Sequence, residues 1–66
     1  SDPLRQALQE TREAIRQVQA GVPEVELSPQ NAYIRRRQHE MARAANLSSY
    51  SVGKGANRRV RIYREE

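Results

Sequence analysis

Residues 47–63 read LSSYSVGKGANRRVRIY, and the reading of this stretch decides the fold. Two runs with strand character, Leu47 to Val52 and Arg58 to Arg64, flank the segment Gly53-Lys54-Gly55-Ala56-Asn57. A five-residue connection rich in turn formers predicts a β-hairpin. In the second run Val60 and Ile62 alternate with Arg59, Arg61 and Tyr63, which gives the strand one apolar and one polar face.

The rest of the chain is read outward from the hairpin. Pro23 to Leu27 predicts a short strand, with Val25 and Leu27 on one side and Glu24 and Glu26 on the other. Ser28-Pro29 is a capping residue followed by proline, which predicts a helix from Pro29 to Asn46. Asp2-Pro3 is the same signal at the start of the chain. Leu4, Leu8, Thr11, Ile15 and Val18 then form one apolar stripe, and Gly21 is the expected stop. Strand, helix and returning hairpin suit a split β-α-β arrangement, in which the last strand lies between the other two and antiparallel to both. The expectation is an α+β domain, a three-stranded antiparallel sheet with both helices on one face. Residues 1–21 form its first helix and 22–66 its strand, second helix and hairpin.

A chain of 66 residues leaves room for one small core. It has no cysteine, so disulfides and thiolate metal sites are excluded. No apolar run approaches the ~20 residues of a membrane span, and Ser-Asp-Pro-Leu-Arg at the start is no signal sequence. The stretch reads as a domain of a longer protein. Its net charge is +4, unevenly placed. Residues 1–34 hold three Arg against five acids, and residues 35–66 hold nine Lys or Arg against three acids. Such asymmetry suggests a polyanion partner for the second half. Eleven of the twelve cations are Arg, whose planar fork of donors suits phosphate oxygens.

On the second helix Ile34, Met41 and Ala45 fall within about 40° of one another and mark the expected buried face. Arg35, His39 and Arg43 form a ladder about 140° away, with Arg36 beside it. A solvated face with an Arg36–Glu40 pair is the plain alternative. Three consecutive arginines nevertheless repel one another, and phosphate would relieve that repulsion. His39 is open between a surface histidine, a hydrogen-bonding support, and a donor to phosphate or stacker on a base. A hydrolytic pairing of Ser51 with His39 lacks an acid to orient the imidazole. One histidine without clustered carboxylates gives no metal site. Gly53 and Lys54, with Arg58 after the loop, are candidates for backbone and charge contacts to phosphate. Arg59 and Arg61 are expected to pair with Glu24 and Glu26 across the sheet. Tyr33 and Tyr50 read as packing residues.

Arg35-Arg-Arg-Gln-His39, followed by Leu47, Ser51-Val-Gly53 and Arg58-Arg59-Val60-Arg-Ile62, resembles the R-3-H domain, over a span from about Leu27 to Tyr63. Ser-Pro-Gln-Asn-Ala-Tyr-Ile-Arg-Arg and Asn-Arg-Arg-Val-Arg-Ile-Tyr are further similar to R-3-H domains at the C-terminal end of bacterial and plastid AAA-type ATPases. The resemblance implies a three-stranded sheet with helices on one side. It also implies binding of single-stranded DNA or RNA with little sequence preference. It carries over Arg35 and His39, with Ser51, Gly53 and Arg58 in support, while Arg36, Arg43 and Lys54 come from geometry and charge. The expected protein is a non-catalytic accessory domain without cofactor, metal or membrane partner. It would lie in the cytoplasm, near the nucleoid if it binds DNA, or in a plastid if plant-derived. The competing expectation is an interaction module that self-associates, or docks on a partner domain, through the first helix's stripe.

Overall fold

The computed structural model describes residues 2–65. Helix α1 spans Pro3–Gln19, strand β1 Glu24–Glu26, helix α2 Ala32–Ala44, strand β2 Ser48–Val52 and strand β3 Arg59–Tyr63, with a single 3-10 turn at Gly55–Asn57. The sheet order is β1-β3-β2, and β3 is antiparallel to both neighbours. Val25 sits opposite Ile62, and Ser51 opposite Val60. The expected α+β architecture is the one observed.

Local chemistry sets the element ends. The Asp2 carboxylate accepts from the Leu4 N–H at 3.0 Å and caps α1, with Pro3 in the first turn. At the other end Gly21 takes φ 118°, the Val22 N–H bonds the Gln17 carbonyl and the Gly21 N–H bonds the Val18 carbonyl, each at 3.0 Å. This pair of bonds is a Schellman stop. Helix α2 closes in the same way around Asn46, at φ 62°, with Leu47 N–H on Ala42 and Asn46 N–H on Arg43.

Helix α2 starts later than Ser28-Pro29 predicts. Asn31 is the cap, its side chain accepting from the Ile34 N–H at 2.9 Å. Residues 27–30 instead stay extended along the sheet, held by Leu27 N–H to the Val60 carbonyl (2.8 Å) and Gln30 N–H to the Arg58 carbonyl (3.2 Å). Ser28 donates its N–H and its hydroxyl to Glu10, both at 3.0 Å, which ties this connection to α1.

The core comprises Ala14, Val18, Leu27, Ala42, Val60 and Ile62, with Ile15, Val25 and Leu47 packed around it. It lies between the helices and the sheet face bearing Val60 and Ile62. Both helix faces differ from expectation. On α1 the buried line is Ala7, Thr11, Ala14 and Val18, while Leu4, Leu8 and Ile15 flank it half-exposed. On α2 it is Ile34, Gln38 and Ala42, while Met41 and Ala45 are only half-buried. Small side chains let the two helices approach closely. Between them the Gln38 amide nitrogen donates to the Thr11 hydroxyl at 3.1 Å, and that hydroxyl donates to the Ala7 carbonyl at 2.7 Å. The Gln38 side-chain oxygen is buried and has no hydrogen-bond partner among the described residues.

This polar contact makes a stability prediction. Thr11→Val leaves the Gln38 amide unpaired and should cost about 1–3 kcal/mol in urea unfolding. Thr11→Val combined with Gln38→Met removes both polar groups and should recover most of the loss.

Candidate nucleic-acid interface

Each member of the Arg35, His39 and Arg43 ladder follows one residue of the buried line Ile34, Gln38 and Ala42. The ladder therefore lies about 100° from the buried line, not 140°. It borders the core and faces the hairpin. An open cleft of about 420 Å³ results, lined by Ala32, Arg35, Arg36, His39, Glu40 and Arg43 from α2, Ser51 from β2 and Arg58 from the connection just before β3. Six of the eight sequence candidates are thus brought together. Gly53 and Lys54 do not line the cleft.

Two of the arginines are fixed by backbone carbonyls. Arg35 Nη1 donates to the Gln30 carbonyl at 2.6 Å, and Arg58 Nη1 to the Gly53 carbonyl at 2.9 Å. Since Gln30 N–H also bonds the Arg58 carbonyl, the two arginines are supported by one connected piece of backbone. Gly53 acts through its backbone. At φ 88° a Cβ there would lie 2.6 Å from the Asn57 carbonyl oxygen and 2.7 Å from Arg59 Nη1. Only glycine lets the hairpin close tightly enough to hold Arg58. Lys54 is exposed on the loop. Arg36 and Arg43 have no carboxylate partner among the described residues. Glu40 approaches Arg37, at 3.9 Å, in place of the expected Arg36.

His39 is engaged at both ring nitrogens, with Nδ1 2.6 Å from Ser49 Oγ and Nε2 3.0 Å from Ser51 Oγ. Partial burial holds its pKa below the ordinary 6.5, and the charges of Arg35, Arg43 and Arg58 lower it further. The ring is therefore neutral at pH 7, with one nitrogen donating and the other accepting. The serine that accepts from the imidazole keeps its own O–H free to donate outward. His39 thus works as a support for β2 hydroxyls. The sequence reading misses Ser49, although strand alternation puts it on the same face as Ser51.

The opposite sheet face satisfies its own charges. Arg59 Nε bonds Glu26 at 2.6 Å, and Arg61 Nε lies 2.8 Å from Glu26 and 3.6 Å from Glu24. Hydrogen bonds from Arg59 and Arg61 hold the Glu26 carboxyl below its usual range. The Tyr50 hydroxyl, which donates to Glu24 at 3.1 Å, and Glu26 together hold Arg61 firmly charged. Tyr50 and Tyr63 meet edge to face at 5.7 Å. The cross-strand Glu–Arg pairing expected from the sequence is present. Tyr33 differs from its packing expectation: the residue is 57% exposed, and its hydroxyl accepts from Arg37 at 3.3 Å.

The R-3-H domain family model matches residues 5–64, almost the whole chain. The chain belongs to the R-3-H domain family. The match includes most of α1, which the Arg-His motif alone does not reach. R-3-H domains are generally nucleic-acid-binding domains, and the α+β fold agrees with the assignment. No curated protein and no solved structure matches the chain significantly.

The His39 environment makes a pH prediction. Its folded pKa lies below its unfolded value, so the unfolded chain binds more protons between the two. The stability from neutral His39 should be complete above about pH 6.5 and be lost as pH falls through that value toward the folded pKa. Urea midpoints across this window should rise with pH in the wild type, and the rise should be shallower in His39→Asn.

Proposed function

We propose that this R-3-H domain binds single-stranded DNA or RNA with little sequence preference, along the cleft between α2 and the hairpin. One observation carries the reading. Four guanidinium groups, from Arg35, Arg36, Arg43 and Arg58, converge on one open cleft, and Arg36 and Arg43 meet no carboxylate among the described residues. The cations on the other sheet face are already paired with glutamates. Guanidinium groups contact phosphates through paired donors. Phosphate contacts position a strand without reading its sequence. The Ser51 hydroxyl, hydrogen-bonded to His39, adds a neutral polar group beside them, and Lys54 extends the charge along the loop.

The domain acts without catalysis in this proposal. Ser51 and His39 are within hydrogen-bond distance, but the second imidazole nitrogen meets Ser49, not an orienting carboxylate. Association through α1 has less surface to use, because Ala7, Thr11, Ala14 and Val18 are buried within the domain itself. The resemblance to domains at the end of AAA-type ATPases supports an accessory role beside a motor, in the cytoplasm or a plastid.

Fluorescence anisotropy with a labelled single-stranded oligonucleotide tests the reading. Four phosphate contacts at about 0.7 each predict a log–log salt slope near −3. Arg36→Ala and Arg43→Ala should each weaken binding and reduce the slope by about 0.7. Arg61→Ala should leave the slope unchanged, and an equal effect of all three variants would overturn the assignment of the cleft.

A further inference from the structure

A second cleft, of about 360 Å³, adjoins the first. It is lined by His39, Arg43, Leu47, Ser48, Ser49 and Tyr63. His39 and Arg43 line both clefts, so the imidazole and one guanidinium stand at the boundary between them. We infer that the second cleft is a further nucleotide subsite, and that a bound strand runs along the α2–β2 seam, past Arg58 and Ser51, over His39 and Arg43, to Ser49 and Ser48. The inference rests on the proposed binding of a single strand to the first cleft.

The chemistry of the second cleft suits this path. Arg43 lacks a carboxylate partner among the described residues and can reach a phosphate lying between the two hollows. His39 gives each hollow one serine, Ser51 to the first and Ser49 to the second. In the neutral ring only one nitrogen carries hydrogen, so the hydroxyl that accepts from it is free to donate to the strand. Leu47 and Tyr63 add apolar surface on which part of a base or sugar can rest.

Other exits from the first cleft are less favourable. The groove between α1 and β1 holds Glu10, Glu13 and Glu26, which repel phosphate. The outer sheet face presents Glu24 and Glu26 among its arginines. Among the described residues, the acid at the far end of the proposed path is Glu65, which accepts from the Ser48 hydroxyl at 3.0 Å. Glu65 is exposed, so its charge can be changed with the loss of one surface hydrogen bond.

The test compares two equal charge reversals, Glu65→Lys beside the second cleft and Glu13→Lys in the α1 groove. Each is titrated with a fluorescein-labelled oligothymidylate of about ten nucleotides, within the usual range for single-strand sites. Glu65→Lys should tighten binding several-fold and steepen the salt slope by about 0.7, as one more phosphate contact would. Glu13→Lys should keep the wild-type slope. Glu65→Gln, which removes only the repulsion, should tighten binding without a steeper slope. In the unaltered chain, NMR amide shifts at Leu47, Ser48 and Ser49 should move with the oligonucleotide. If both reversals bind alike and these amides stay still while Arg36→Ala and Arg43→Ala weaken binding, the second subsite is overturned and the first cleft stands. If the wild type binds no oligonucleotide at any salt concentration, both readings fall.

Discussion

The structure depends on β3 lying between two antiparallel neighbours. One face of this strand, Val60 and Ile62, forms the floor of the core. The other face carries Arg59, Arg61 and Tyr63. Because β3 pairs on both sides, it fixes the residue before it, Arg58, at the mouth of the cleft and brings β1 within reach of its outer arginines. The chain has no Phe or Trp with which to fill a large core. It compensates with close approach between α1 and α2 over alanines and one Thr–Gln contact, and a small interface of this kind tolerates few vacant hydrogen-bonding groups.

Positive charge is divided across that arrangement into arginines paired with acids and arginines that are not. Arginines on the outer sheet face are matched to glutamates of the neighbouring strand, as register requires. Arg36 and Arg43 on α2 have no such partners among the described residues, and the strand beside that helix face carries serines. The same residue type therefore stabilises the fold in one place and stays available in the other. Net charge alone does not distinguish them. The number of acids opposite each face does.

Much of this is legible in the chain, for physical reasons that differ between elements. Turn formers between alternating runs are local signals, so the hairpin, the central position of β3 and the Glu–Arg pairs can be read directly. The helix start cannot, because Ser28 and Asn31 are both competent caps and only the extended path of residues 27–30 selects Asn31. The buried lines of α1 and α2 escape the sequence for a related reason. Large apolar residues mark a core in sequence, whereas this helix contact uses Ala7, Thr11, Ala14, Gln38 and Ala42. With Gln38 and Ala42 in place of Met41 and Ala45 on the buried line, the Arg35, His39 and Arg43 ladder turns from open solvent to the seam with β2. The motif names Arg35 and His39. It does not show that Ser49 and Ser51 bracket the imidazole, since that contact depends on how α2 sits over β2.

The anchoring of Arg35 and Arg58 to backbone carbonyls also bears on how fast a ligand is held and released. A free arginine loses up to about 2 kcal/mol of rotamer entropy when it is immobilised. Here much of that ordering is complete once the chain has folded, before any encounter. If the cleft binds a strand as proposed, that strand meets two donors, Arg35 and Arg58, already in place. Departure then requires no rearrangement of the protein. Under the proposed reading, such preordered donors favour rapid exchange of a phosphate at Arg35 and Arg58.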